Sequence, residues 1–265
     1  MSIVGTVDSL WRYPVKSMGG EELEESFLGF SGVYGDRYFA FRSPASPRGF
    51  PYLTGREQEQ MLRYRPRFRH PEKAAGPPNL AAAERIAPGI NPVNADPKDM
   101  SVDIVTPSGA TLAVDDPELL GMLNEGVGVG DDHVLTLVRS ERALTDCRPV
   151  SLISLQTVEQ IGDELGSELD KRRFRANIYL DFDEAGGFGE GEFVGRSLRV
   201  GDKAVVAVLE RDPRCKMISL DPDTGEHDPQ VLRNVAQNHD NLAGIYCAVL
   251  VEGMVKKGDP VELMA

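Results

Sequence analysis

Along most of the chain, short apolar stretches recur, broken by turn residues such as Gly, Pro, Asn and Asp. Short apolar stretches with turn punctuation are the pattern of a β-rich fold. Strands are predicted over 2–10, 32–41, 101–106, 111–114, 133–138, 175–182, 198–209, 244–251 and 259–263. Helical spacing is rarer. Across 157–169, Val158, Ile161, Leu165 and Leu169 fall on one helical face, and Ser154 stands where an N-cap hydroxyl would accept from a free amide. Shorter helices are expected over 117–124 and 230–238, with a helical turn over 55–62.

Between Pro66 and Lys98 the periodicity gives way to Pro, Ala and Asn. So long an irregular stretch inside a compact domain points to an insertion or a mobile lid. A second seam follows Val138, where a strand passes into the polar run RSERALTDCRP. These breaks predict an α+β, mainly β chain in two domains. Residues 126–265 should form a β-barrel and residues 1–125 a smaller β-rich α+β domain. Closing strands into a barrel removes exposed edges and gathers loops at a rim, where ligands commonly bind.

The chain has 265 residues, 41% of them hydrophobic and 27% charged, enough for a core without staples. Its formal net charge of −13 argues against nucleic-acid binding, which relies on summed positive charge. A small anion in a local basic pocket remains compatible with it. The N-terminal residues carry no basic segment followed by an apolar run, and no stretch is apolar enough to cross a bilayer, so a cytoplasmic protein without membrane insertion is expected. The three cysteines, Cys147, Cys215 and Cys247, are odd in number and widely spaced, which fits neither a disulfide framework nor zinc.

Cys215 follows the apolar run AVVAVLE and sits in a polar turn with Arg211, Asp212, Pro213, Arg214 and Lys216. Neighbouring cations favour a thiolate, the form that attacks electrophiles or binds metals. The competing interpretation is an ordinary half-buried loop thiol. Cys247, inside GIYCAVLV, reads as core; Cys147 is compatible with either. Arg172, Arg173 and Arg175 enter a predicted strand beside Asn177, and such a fork suits phosphate, although a charged strand edge would look the same. Lys16 and Ser17 in YPVKS, Arg37 in GDRYF, and Thr54 and Arg56 in LTGRE add cations and hydroxyls at the ends of apolar runs. Asp221–Gly225, DPDTG, is a turn: Pro222 presets φ and Gly225 relieves crowding.

Taken in order, LWRYPVKS (10–17), GDRYF (35–39), LTGRE (53–57), FRANIYL (174–180), RCKMISLDPDTG (214–225) and KKGDPVEL (256–263) resemble the MOSC superfamily with its N-terminal β-barrel companion domain. Within it the segments are most similar to the mitochondrial amidoxime-reducing component and its bacterial relatives. The resemblance implies a MOSC β-barrel and a molybdenum–pyranopterin cofactor whose metal is held by a protein cysteine. By motif position Cys215 would be the metal ligand and the catalytic thiolate, and Arg214, Lys16, Ser17, Arg37, Arg175 and Asn177 cofactor contacts, with Thr54 and Arg56 close to the pocket. Soft thiolate sulfur suits a redox-active transition metal.

The implied activity is reduction of small N-hydroxylated compounds: amidoximes, hydroxylamines and N-hydroxypurines. A separate electron-donor protein, a reductase of ferredoxin or cytochrome type, would be needed. Two other functions fit the same thiolate: a sulfur carrier holding a persulfide on Cys215, or a non-enzymatic protein that binds or stores the molybdenum cofactor. The chain also departs from the family pattern. FGEGEFVG (188–195) has Phe193 where many members have tryptophan, a single cysteine stands near 215 where eukaryotic members have two, and residues 71–99 have no clear counterpart.

Overall fold

The computed structural model describes residues 2–47, 49–83, 85, 92–127, 134–183 and 186–264. Seven strands close into a barrel in the order Ile178–Phe182, Val150–Ser154, Leu242–Val251, Ala204–Pro213, Ser197–Val200, Pro260–Leu263 and Ser2–Arg12, which returns to Ile178–Phe182. Closure depends on the length of the first strand. Its start pairs with Pro260–Leu263 and its later residues with Ile178–Phe182, with a register shift in each pairing. Bulges of this kind bend a strand, and here they let one strand serve two neighbours. The N-terminal segment is therefore part of the same barrel as residues 150–263.

Among the described strands of the barrel one pair is parallel, Val150–Ser154 with Ile178–Phe182; it needs a crossover, and the helix Leu155–Leu165 supplies it. Ser154 caps this helix as expected, its side chain accepting from the Thr157 amide, and Gly166 ends it in the left-handed region. Ser154 and Thr157 also donate to Glu190, which is 1% exposed and accepts from the Gly244 amide as well. That carboxylate ties the helix start to two other parts of the barrel wall. Both oxygens of this buried carboxyl group are hydrogen-bonded.

Val7, Leu10, Leu152, Ile178, Val206, Val208, Ile245 and Cys247 fill the barrel. Cys247 is 0% exposed, as its apolar surroundings predict, and burial pushes its thiol pKa well up. A second core joins Val15, Met18, Phe41, Met61, Ile104, Leu119 and Leu123 in the N-terminal half. There, Arg65–Phe68, Val102–Val105 and Thr111–Ala113 form one small sheet, and Phe39–Arg42 pairs with Thr136–Arg139.

Several expected boundaries move. The run 32–41 is two strands, Gly32–Val33 and Phe39–Arg42, parted by a turn. The run 198–209 is two strands of a hairpin turning at Gly201 (φ 66°). Arg175 does not begin a strand: it has φ 53° and ends the short helix Lys171–Phe174, and the strand starts at Ile178. Nor is 66–98 irregular throughout. Its first residues belong to the strand Arg65–Phe68, and Ala74 and Ala95 are buried in the second core. Position 133, where a strand was expected to begin, and positions 84 and 86–91, in the expected lid, lie outside the described residues.

Two stability effects of very different size follow. Cys247→Ala removes one atom from the barrel core and should cost about 1 kcal/mol, lowering Tm by ~2–4 °C. Glu190→Ala strands the Ser154, Thr157 and Gly244 donors and should cost about 2–4 kcal/mol. Denaturant titration of both variants checks the ranking; equal losses would mean the Glu190 bonds are replaced by water.

Candidate functional site

In a strand, successive side chains point to opposite faces. Leu152, Ile245 and Cys247 face the barrel core, so their neighbours Ser151 and Tyr246 face away from it. Against that outer face lies a cavity of about 240 Å3, walled on its other side by loops of the N-terminal half. The nine positions implied by the resemblance line it, namely Lys16, Ser17, Arg37, Thr54, Arg56, Arg175, Asn177, Arg214 and Cys215, whereas Arg172 of the arginine fork does not and pairs with Asp170 and Asp223. The expected rim of cations is thus a pocket beside the barrel. Sequence reasoning did not single out Thr145, Asp146, Cys147, Arg148, Ser151, Asp212 or Tyr246 as site residues, and the structure places them there too.

The charge of this cavity opposes that of the protein. Lysine or arginine stands at positions 16, 37, 56, 148, 173, 175 and 214 of the lining, and carboxylates only at 146 and 212. Ser17, Arg37 and Arg175 have φ of 65°, 43° and 53°, values that cost a non-glycine residue energy and tend to gather at functional sites. Tyr13 organises two of them. Its ring carries the Arg37 and the Arg175 guanidinium, each 4.3 Å from the centroid, and its amide donates to Asp36.

These cations differ in how much donor capacity is left. Arg37 is engaged: one nitrogen contacts Asp36 at 2.6 Å and another donates to the Arg175 carbonyl at 2.9 Å. Burial works against its charge, but Asp36, Tyr13 and Asp146 together outweigh burial and raise its pKa. Arg214 donates to the Ala243 carbonyl at 2.6 Å and the Phe174 carbonyl at 3.0 Å. Gly244 (φ 80°) allows this close approach, since a Cβ there would stand 2.8 Å from an Arg214 nitrogen. Lys16 is buried, contacts Asp146 and donates to the Leu144 carbonyl, and burial lowers its pKa. Asn177 receives the Ser151 amide and donates to the Trp11 carbonyl.

Arg173 and Arg175 have capacity to spare. Nε and Nη1 of Arg173 and Nη2 of Arg175 are buried with no hydrogen-bond partner. Burial, helped by Arg37, pulls the Arg175 pKa down to about 10. Buried donors are almost always paired, so orphans on two residues that line a cavity fit an anion bound there. The DPDTG turn explains how the arginines stay in place. The Asp221 carboxylate accepts from the Asp223 and Thr224 amides and lies 3.4 Å from Arg173, while Asp223 pairs with Arg172 and Arg65.

Cys215 is half-buried where the Ala204–Pro213 strand passes into the short helix Lys216–Ser219. Cys147 is exposed on the same lining, and burial followed by Glu210 raises its thiol pKa. Among the described residues, no three His, Cys, Asp or Glu side chains gather to hold a metal. A metal at Cys215 would therefore need most of its ligands from a bound group. The donor set fits one that brings both: an anion for the free guanidinium nitrogens, and a soft centre for a thiolate.

Residues 139–262 match the MOSC domain, and residues 4–90 match the MOSC N-terminal beta barrel domain. The chain is 30% identical to mitochondrial amidoxime reducing component 2 of Rattus norvegicus over 137 residues, 47% of this chain and 39% of that protein. It is 24% identical to the protein of the same name from Bos taurus over 293 aligned positions, 98% of this chain and 84% of that one. Among solved structures, YUAD protein from Bacillus subtilis superposes with a TM-score of 0.48 at 12% identity, covering 98% of this chain and 95% of that one. With these two matches covering the barrel and the segments that wall the cavity, the chain belongs to the MOSC proteins that carry the MOSC N-terminal beta barrel domain.

Proposed function

We propose that the cavity binds a molybdenum-bearing pyranopterin through Cys215 and that the chain is an oxidoreductase reducing N-hydroxylated compounds such as amidoximes, hydroxylamines and N-hydroxypurines. The observation that carries this is the pairing, in one pocket, of an accessible thiol with buried guanidinium nitrogens that lack partners. Similarity to two proteins named for amidoxime reduction supports the choice of reaction. When bound, the group supplies two-electron, oxygen-accepting chemistry that amino-acid side chains lack.

The chain's own residues have separable tasks. Arg173 and Arg175 would hold the phosphate that such a pyranopterin carries, because they alone among the buried arginines described above have guanidinium nitrogens without either a hydrogen bond or an ion pair. Arg37 and Arg214 are positioning residues. Their donors are spent on the carbonyls of Arg175 and Phe174, which fix the segment that presents Arg175. Lys16 and Arg56 neutralise Asp146, with Arg56 also stacked 4.7 Å from the Phe50 ring. Cys215 is the thiolate ligand, and the residue before it is anchored by the bond from the Arg214 amide to the Asn241 carbonyl. Electrons come from a separate reductase protein of ferredoxin or cytochrome type.

The test is expression in a host that makes the cofactor, followed by molybdenum analysis, fluorescence of the oxidised pterin and amidoxime reduction with a viologen donor. Cys215→Ala should lose bound molybdenum and turnover with an unchanged Tm, since a half-buried loop thiol adds little to the core. Full metal and full turnover in that variant would remove Cys215 as the ligand.

Arg173→Ala and Arg175→Ala should each weaken pterin retention by about 10- to 100-fold, the worth of a charge-assisted contact of ~1.5–3 kcal/mol. Arg139, exposed on its strand, is the control. Equal pterin content in all three variants would show that the orphaned nitrogens are satisfied by water.

A further inference from the structure

Two carboxylates line the cavity, and their surroundings drive them apart. Asp146 is countered by cations. Burial pushes its pKa up, but Lys16, Arg56 and Arg37 together hold it below the usual carboxylate value. Asp212 is more deeply enclosed, at 2% exposure, and has a single close cation, Arg214, 2.9 Å away. Burial dominates there and lifts its pKa to about 6, against the pull of Arg214 and of a hydrogen bond from the Tyr246 hydroxyl. Two carboxyls in one pocket with opposed environments are the pattern by which a site separates a proton donor from a permanent charge.

The backbone explains why Asp212 reaches the pocket. Val206 and Val208 face the barrel core, but the Ala204–Pro213 strand pairs Val208 with Cys247 and then Glu210 with Tyr246, so the extra residue Leu209 turns over the positions that follow it, Asp212 included. A bulge re-aims the side chains beyond it, and such features often lie next to active sites. The slip leaves Asp212 on the cavity lining together with Tyr246 and with Cys215, three residues further on. The charged and titratable groups facing Asp212 are Arg214 from its own strand end, Tyr246 from the neighbouring strand, Asp146 and Cys147 from the segment before Val150, and Arg37 from the turn before Phe39.

We infer that Asp212 is the proton donor of the cavity, with Tyr246 as the positioning residue that sets when it releases its proton. The inference rests on the N-reductase reading above. In the overall reduction a hydroxylamine R–NHOH takes up two electrons from the separate reductase and two protons, the N–O bond breaks, and R–NH2 and water leave. Asp212 gives one proton to the departing oxygen, is left as a carboxylate beside Arg214, and is reprotonated by solvent through the open cavity. Solvent supplies the proton that ends on nitrogen. A donor must be protonated before the step, so turnover should fall as pH rises through the ionisation of Asp212.

Two measurements on the full chain test this. In protein purified without cofactor and labelled at the aspartate carboxyl carbon, one carboxyl should titrate near pH 6 by NMR; its resonance should vanish in Asp212→Asn. In Tyr246→Phe it should move to higher pH, because the lost hydroxyl had favoured the ionised form. In the cofactor-loaded enzyme, Asp212→Asn should reduce kcat by about 100-fold or more at unchanged molybdenum content. In Tyr246→Phe the alkaline limb of kcat should shift upward with the NMR value, a movement that a merely structural role would not produce. Wild-type kcat with an unmoved limb in Asp212→Asn overturns the assignment, and so does an unmoved limb in Tyr246→Phe should the asparagine variant fail to hold cofactor. A loaded wild-type enzyme that reduces no N-hydroxylated compound overturns the reaction itself and the donor role with it, even where the carboxyl titrates as expected.

Discussion

Two guanidinium groups stacked against one tyrosine ring are the arrangement around which the cavity is built. Arg37 and Arg175 each lie 4.3 Å from Tyr13, and both are forced into the left-handed region of backbone space. Burying like charges together is unfavourable unless each is compensated, and the compensation is unequal. Arg37 has Asp36 and the Arg175 carbonyl; Arg175 has the ring and a depressed pKa. The structure thus holds an electrostatic debt at Arg175 that an anion would relieve. Tyr13 lies just beyond the first barrel strand, so the element that closes the barrel also sets the pocket's charge.

Apolar runs bounded by turn residues were readable from sequence as strands because a strand packed into a barrel core leaves a short, concentrated apolar stretch with Gly, Pro, Asn or Asp at its ends. The capped helix was readable for the same kind of reason: Ser154 and the spaced Val158 and Ile161 are a local pattern with a local cause. What could not be read were pairings decided at a distance. Glu25–Gly29 is a strand because Gly253–Lys256 lies beside it. Arg175 looked like the start of a strand, and its actual turn is fixed by contacts from Arg37 and Arg214, the latter through the Phe174 carbonyl. Ala74 and Ala95 carry too little apolar surface to announce burial, which is why the stretch around them reads as lid.

The site divides in the same way. Its cations stand out in sequence because they break an acidic background at strand ends, and motif order brings them into one list. Asp146 and Asp212 do not stand out, being two carboxylates among 42 acidic residues. Only the fold shows that one is ringed by cations and the other sealed against Tyr246. The cysteines show the same limit. Cys247 was recognisable as core from its neighbours, whereas the presence of Cys147 on the same lining as Cys215 follows from the turn before Val150 and has no sequence signal.

The claim on which the functional account turns is that Cys215 is a metal ligand inside this cation-lined pocket. X-ray absorption at the molybdenum edge, on protein from a cofactor-producing host, tests it most directly. The account predicts one sulfur ligand beyond the pair that a pterin dithiolene supplies, and its loss when Cys215 is replaced by serine. An identical sulfur shell in the wild-type and Cys215→Ser proteins would contradict it.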